Sequence, residues 1–285
     1  VMCPINFVDW TEKDKKDLEY SLVSFAQDDR EKGFEFDKPP LMRFSLVKLA
    51  NSEFYFVWTY HHILMDGWSV PILINEVMTL YSHPRNAVSL APSRPYRDYI
   101  EWLSEVDQQS AKEFWSEYLR GFTETIKLPI RNKSLSNEEK PGKITATLSR
   151  ELSANLKSFV RENRLTLNTI IQAAWALLLS RYTGSDQVLF GMTVSGRPTD
   201  LTGSNEMVGL FINTLPVRID VPGDKSIEEW LPKVHEMLSN IRAYEHSPLF
   251  EIHKFSDLPK DEPMFESIVV VENYPIDNIA SSHQQ

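Results

Sequence analysis

Residues 54–69 read Phe54-Tyr-Phe-Val-Trp-Thr-Tyr60-His61-His62-Ile-Leu-Met-Asp66-Gly67-Trp68-Ser69. The first seven are all aromatic or β-branched, the residue types that suit a pleated surface, which predicts a strand. Ser69 can cap a helix carrying Val70, Leu73, Ile74, Val77, Leu80 and Tyr81 on one face, with Pro71 in the first turn where a missing N–H is harmless. His61 to Gly67 is then a strand-to-helix connection. Strand alternation puts Tyr60 and His62 on one face and His61 on the other, so only one of the two histidines can look into a given cleft. An imidazole that titrates near neutral pH can take a proton from an amine or hydroxyl nucleophile. Asp66 can fold back to orient an imidazole or be held by an arginine, and Gly67 permits a tight turn or close approach of a substrate to the backbone.

Upstream, the alternation of Phe44, Leu46 and Lys48 predicts a second strand from Met42, joined to the first at Ala50-Asn-Ser52. Thr11-x-x-Asp14 opens a stretch with Leu18, Leu22, Phe25 and Ala26 at spacings of three and four, which predicts a capped amphipathic helix, and Asp37-Lys-Pro-Pro40 stops it. Downstream, Pro95 to Leu119 is helical by period. The period is lost between Thr125 and Thr145, around Pro129 and Pro141-Gly142, the best linker candidate in the chain. Helices then follow over about 152–163 and, largely buried, 168–182. Strands are expected at Val188–Val194, Phe211–Ile219 and Ser267–Glu272, with a helix from Ser226 opened by a capping box with Glu229. The fold class is mixed α/β in both halves: 1–125 and 146–285, with 126–145 as linker. A length of 285 residues agrees with two such units at roughly 150 residues each.

Composition narrows the function. A single cysteine, Cys3, excludes an internal disulfide and cysteine-based zinc clusters and suits a reducing, cytoplasmic compartment. With 30 basic and 40 acidic residues the net charge is −10, which removes any general attraction to nucleic acid or anionic membranes. The most apolar stretch, Ile170 to Leu179, is interrupted by Gln172 and is far short of the ~20 residues a membrane span needs. His61-His62 with Asp66 lacks a third ligand cluster, so no metal is expected. Ser69 and Ser195 have no triad context. A histidine at a strand end is ordinarily a hydrogen-bonded structural residue, and a catalytic reading needs further segments that agree.

Such segments are present. His61-His-Ile-Leu-Met-Asp-Gly-Trp-Ser69 resembles the HHxxxDGWS active-site motif of the condensation domains of nonribosomal peptide synthetases. Tyr96-Arg-Asp-Tyr-Ile-Glu-Trp102 resembles the family's YxDYxxW segment, and Val208-Gly-Leu-Phe-Ile-Asn-Thr-Leu-Pro-Val-Arg218 its VGxFVNTxxLR segment. His246-Ser-Pro-Leu-Phe-Glu-Ile252 resembles HxxxPFE with Pro248 and Leu249 displaced, and Pro263-Met-Phe-Glu-Ser-Ile-Val-Val-Val-Glu-Asn273 resembles the PLF segment and its strand. The family's SxAQxRLW and RHExLR segments do not occur, and the end of the second lobe is missing, so the chain is expected to be a condensation domain incomplete at both ends.

The resemblance implies two chloramphenicol acetyltransferase-like lobes forming a V, with the active site in a tunnel between them. It implies amide formation by attack of a carrier-bound aminoacyl amine on a carrier-bound acyl or peptidyl thioester. Donor and acceptor carrier proteins with phosphopantetheine arms, and a neighbouring adenylation domain, are the implied partners; no cofactor is bound directly. His62 matches the catalytic histidine, which holds the amine, removes its proton or stabilises the tetrahedral intermediate. His61 fixes the strand. Asp66 matches a structural aspartate paired with an arginine, for which Arg197 in Val194-Ser-Gly-Arg-Pro198 is the candidate, and Gly67 offers a backbone N–H as an oxyanion contact. Asn213 is a tunnel-wall hydrogen-bonder or a structural residue at a strand kink, and Trp68, Trp102 and Trp115 are expected in the core. His246 is not expected to be catalytic. The alternatives are a free-standing acyl-CoA-dependent acyltransferase and a non-catalytic recruitment module of the same fold.

Overall fold

A computed structural model describes residues 3–82, 90–129 and 142–272. In chain order its elements are β1 (Ile5–Asp9), α1 (Leu18–Glu31), β2 (Met42–Ala50), β3 (Glu53–Tyr60), α2 (Ser69–Ser82), α3 (Arg97–Glu105) and α4 (Gln108–Tyr118). There follow α5 (Arg150–Glu162), α6 (Leu167–Thr183), β4 (Gln187–Val194), β5 (Asn213–Asp220), α7 (Ile227–Arg242), α8 (Leu249–Phe255) and β6 (Ile268–Val269). The class is mixed α/β, as expected. The described chain divides into two compact units, one running to Tyr96 and including Asn205–Phe211, the other comprising Arg97–Ser204 and residues 212–272. These units do not coincide with 1–125 and 146–285: α3 and α4 belong with the second.

In the first unit the strand order is β1-β2-β3, with β1 parallel to β2 from Ile5↔Phe44 to Asp9↔Lys48 and β3 antiparallel to β2. A parallel pair needs a crossover, and α1 supplies it. Period-2 alternation buries Ser45 and Val47 on one face of β2, while Phe44 on the other stacks on Phe56 at 5.6 Å. The crossover is closed by a charge clamp. Arg43 Nε donates to both carboxylate oxygens of Asp29, at 3.0 and 2.9 Å, Nη1 donates to the Gly33 carbonyl at 2.8 Å, and the guanidinium lies over the Phe34 ring. Burial pushes the Asp29 carboxyl up, but hydrogen bonds from Thr59, Arg43 and Lys32 outweigh it and leave the group below the usual carboxylate range. A depressed folded-state value means the stabilisation is complete above the unfolded carboxylate pKa and is lost as pH falls through the folded one. Arg43→Ala is expected to cost about 2 kcal/mol in urea denaturation at neutral pH and to flatten that acid limb, less than a fully buried pair because Lys32 remains beside Asp29.

In the second unit β5 and β6 flank β4, antiparallel and parallel respectively. Trp115 and Leu119, Phe190, Leu215 and Val217, and Leu238, Ile241 and Ile252 bury together from α4 and the residue after it, the sheet, and α7 and α8. Phe114 of α4 stacks on Tyr244 at 4.3 Å, which is why these helices pack with residues far downstream and not with the segment before them. β5 is a sheet edge, and its outward groups are occupied. The Tyr118 hydroxyl accepts from the Arg218 N–H at 2.6 Å and donates to its carbonyl at 3.0 Å, Trp230 Nε1 donates to the Asp220 carbonyl at 2.8 Å, and Pro216 has no N–H to offer. Burial pushes the Tyr118 phenol well up, so this blunting persists across the ordinary pH range.

Several boundaries differ from expectation for local reasons. β1 has no counterpart in the sequence reading; five residues without a turn signal carry too little pattern. The first helix begins at Leu18, not at Thr11, because the Thr11 hydroxyl turns back to Asp9 and Asp14 caps a short 3₁₀ turn over Lys15–Asp17. The stretch 95–119 is two helices, broken where Asp107 accepts from the N–H groups of Gln109 and Ser110. α6, expected to be largely buried, exposes Leu178 and Tyr182 and buries the opposite stripe, Thr169, Gln172, Ala173 and Ala176, before Gly184 closes it in the left-handed region. Only Ile268–Val269 of the expected strand 267–272 pairs among the described residues. Most of the expected linker, 130–141, lies outside the described residues.

Candidate active site

β3 ends at Tyr60, and His61 continues extended at φ −79° and ψ 134°. Its Nδ1 accepts the Ile63 N–H at 3.2 Å, so a neutral His61 carries its proton on Nε2. The ring packs edge-on against Phe36 at 4.8 Å and Phe34 at 6.4 Å. His62 begins a single 3₁₀ turn to Leu64, which ends the strand alternation one residue earlier than the sequence pattern implies. It is exposed and makes no hydrogen bond, ion pair or ring contact among the described residues. Thus the two rings differ in kind: one is built into the scaffold, the other is presented.

What anchors the presented residue is the far end of the same loop. Met65 is 1% exposed and Asp66 is fully buried. Asp66 Oδ1 accepts the Ser69 N–H at 2.9 Å, and its Oδ2 accepts the Phe211 N–H at 3.1 Å. The cap of α2 is therefore Asp66, not Ser69, whose side chain is otherwise engaged. The Ser69 hydroxyl lies 2.9 Å from Asp66 Oδ1 and 3.0 Å from the Gly209 carbonyl, and accepts the Gly209 N–H at 3.1 Å. The Asp66 N–H donates to the Gly209 carbonyl at 3.0 Å. Gly67 is half-buried within this turn. Burial raises the Tyr60 phenol pKa, and the Asp66 charge adds to the shift.

Gly209 and Tyr96 are the participants that sequence reasoning did not single out. The Tyr96 hydroxyl donates to the Leu210 carbonyl at 2.5 Å, and its ring meets Phe211 edge-to-face at 5.1 Å. Both residues fall inside quoted segments, 96–102 and 208–218, but nothing in one sequence says that these segments meet the 61–69 loop. Because the Phe211 N–H is taken by Asp66, the expected strand from Phe211 starts instead at Asn213.

The remaining candidates lie in the second unit. Arg197 is 7% exposed and donates to the Ser204 carbonyl through Nη1; its pairing with Asp66 remains a proposal. Asn213 Nδ2 donates to the carbonyls of Glu245 and Ser247 at 2.9 and 2.7 Å, and its Oδ1 accepts the Thr214 N–H at 2.9 Å, tying β5 to the loop before α8. In that loop the His246 ring stands edge-on to Trp102 at 5.7 Å, and the Trp102 indole donates to Asp200 at 3.2 Å. Burial pushes His246 below the ordinary imidazole range, with the Asp200 charge opposing. Of the three tryptophans expected in the core, Trp115 is fully buried, whereas Trp68 and Trp102 are half-buried, Trp102 because its indole faces an exposed carboxylate.

The family model that matches is described as Condensation domain, and it covers residues 1–285. A linear gramicidin synthase from Brevibacillus parabrevis is 44% identical over 261 residues, 90% of this chain and 5% of that protein. Tyrocidine synthase 2 from the same organism is 35% identical over 275 residues, 96% of this chain and 8% of that protein. The chain thus spans less than a tenth of these relatives. Among solved structures, a four-domain nonribosomal peptide synthetase bound to AMP and glycine matches at TM-score 0.76 and 19% identity, over 95% of this chain and 21% of that one. The first condensation domain of the calcium-dependent antibiotic synthetase, in complex with a substrate analogue, matches at TM-score 0.72 and 19% identity, over 95% of this chain and 62% of that one. At such identities these likenesses establish the fold. Among the described residues no helix is long and apolar enough to cross a membrane.

Proposed function

The chain belongs to the condensation-domain family, and from that premise we propose that it is an amide-forming acyltransferase of nonribosomal peptide synthesis. The observation that carries the reading is the HHxxxDG loop: an exposed His62 on a turn whose other end is buried and hydrogen-bonded through Asp66. The acceptor amine attacks the donor thioester carbonyl, the C–N bond forms to give a tetrahedral centre whose collapse breaks the C–S bond, and the amine proton ends on the departing thiol. A free α-amine has a pKa of about 7.7–8.0, so roughly a tenth to a sixth of it is already unprotonated at pH 7. His62 contributes by holding that amine in line and taking its proton as the tetrahedral centre collapses. The substrates are presented on the phosphopantetheine arms of a donor and an acceptor carrier protein, beside an adenylation domain, in the cytoplasm.

The test is to load donor and acceptor carriers and follow the product thioester in the intact parent synthetase. His62→Ala is expected to lower the single-turnover rate by about 10²–10⁴-fold, the range of positioned acid–base catalysis. An unchanged rate removes His62 from the mechanism. Equal use of a diffusible acyl-CoA points to the free-standing acyltransferase, and no product with either donor points to a recruitment module.

A further inference from the structure

The loop that carries His62 is held from outside by a three-residue strap, Gly209-Leu210-Phe211, four of whose backbone groups are taken by side chains or loop atoms of the same unit. The Gly209 N–H goes to Ser69 Oγ, its carbonyl receives the Asp66 N–H, the Leu210 carbonyl receives the Tyr96 hydroxyl, and the Phe211 N–H goes to Asp66 Oδ2. Three of these bonds fix the strap against the turn and the fourth fixes it to Tyr96. This arrangement also leaves no room for a side chain at 209. A Cβ there would lie 2.1 Å from Tyr96 Cδ2 and 2.7 Å from both Cε2 and Cγ. The obstructing ring is not free to swing away, being tethered by its hydroxyl to Leu210 and packed against Phe211.

We propose that Tyr96 and Gly209 are positioning residues for the reaction, a ring-on-glycine lock that holds the strap, and through Asp66 and Ser69 the turn, so that His62 is presented in one place. The proposal rests on the catalytic reading of His62 given above. It differs from a purely structural role in what it demands: small displacements of the lock change the rate at saturation while leaving substrate capture and global folding nearly intact, because misplacement of a reacting group by a fraction of a bond length is felt mainly in the chemical step.

Five variants of the intact synthetase separate the outcomes, read as single-turnover rate and half-saturating concentration of the acceptor aminoacyl thioester, with melting followed by circular dichroism. Tyr96→Phe keeps the ring and loses one hydrogen bond; it is expected to lower the saturated rate about five- to tenfold with an unchanged half-saturating concentration and melting within a few degrees of wild type. Gly209→Ala is expected to fall below it, because ring and Cβ collide. Gly209→Ala combined with Tyr96→Leu removes the colliding ring and is expected to regain the rate of Tyr96→Leu alone. Wild-type kinetics in Tyr96→Phe, or losses in the double variant that simply multiply, overturn the lock. A loss in Tyr96→Phe confined to the half-saturating concentration overturns it too. A wild-type rate in His62→Ala instead overturns the catalytic reading, whatever the Tyr96 and Gly209 variants do, so the two failures are distinguishable.

Discussion

Asp66→Ala is expected to destabilise the first unit by about 2–4 kcal/mol in urea denaturation, because it strips the side-chain acceptor from the Phe211 N–H and the cap from α2. The Ser69 and Phe211 N–H groups sit on Asp66 Oδ1 and Oδ2, and the carboxylate itself is fully buried. The Phe211 N–H left without that acceptor costs about 1–3 kcal/mol, while the Ser69 N–H keeps the Asp66 backbone carbonyl at 3.2 Å and loses only the side-chain cap, at about 1 kcal/mol. Asp66→Asn keeps one acceptor and turns an NH₂ group toward the other N–H, so its cost falls between wild type and alanine, at about 1–3 kcal/mol. The consequence for chemistry is separate. Under conditions where the alanine variant remains folded, condensation is expected to fall toward the level of His62→Ala, since the turn that presents His62 has lost its side-chain tie to the Phe211 N–H and its cap. A cost under about 1 kcal/mol for Asp66→Ala would show that the Phe211 N–H finds another acceptor, and the anchoring role would have to be abandoned.

How much of this is legible in the sequence follows from the range of each interaction. Period and capping are local, so β2, β3, α5, α7 and β4 fall within a residue or two of their expected bounds, and Ser226 does receive the Glu229 N–H as a capping box requires. The aspartate of the HHxxxDG segment stands out with two options, orienting an imidazole or meeting an arginine. Beside the Ser69 hydroxyl, its carboxylate takes the backbone N–H groups of Ser69 and Phe211, and a backbone partner leaves no trace in residue type. Gly209 and Tyr96 are illegible for a related reason: the collision that forbids a Cβ at 209 is between residues more than a hundred positions apart, and neither side of it is odd alone. The expected division of the chain is misplaced because Phe114, Trp115 and Tyr118 read as a helix closing the first half, while their ring partners and hydrogen-bond partners, Tyr244, Met237 and Arg218, lie in the second. An apolar face states that it is buried but not against what.

Trp115 offers the sharpest test of that second core. Its side chain is fully buried and meets Phe114 at 5.1 Å and Tyr118 at 5.8 Å, both edge-on. Trp115→Ala removes the largest side chain in this core from a site lined by ring systems that cannot collapse into the void, and is expected to cost the second unit about 3–5 kcal/mol. Trp115→Phe is expected to cost far less than volume alone implies. The Trp115 indole N–H is buried and meets no acceptor among the described residues, a group whose desolvation works against the folded state by about 1–3 kcal/mol. Phenylalanine gives up part of the packing but removes that orphan donor, so the two effects oppose and the net loss should stay under about 1.5 kcal/mol. Equilibrium urea denaturation of the two variants decides it: equal losses would mean that the indole N–H is satisfied in solution, and the difference between them measures how much of the tryptophan's contribution is shape. Because Tyr118, one helical turn from the indole, blunts the open edge of β5 through the Arg218 backbone, the alanine variant is also expected to expose that edge and to aggregate on heating where the phenylalanine variant does not.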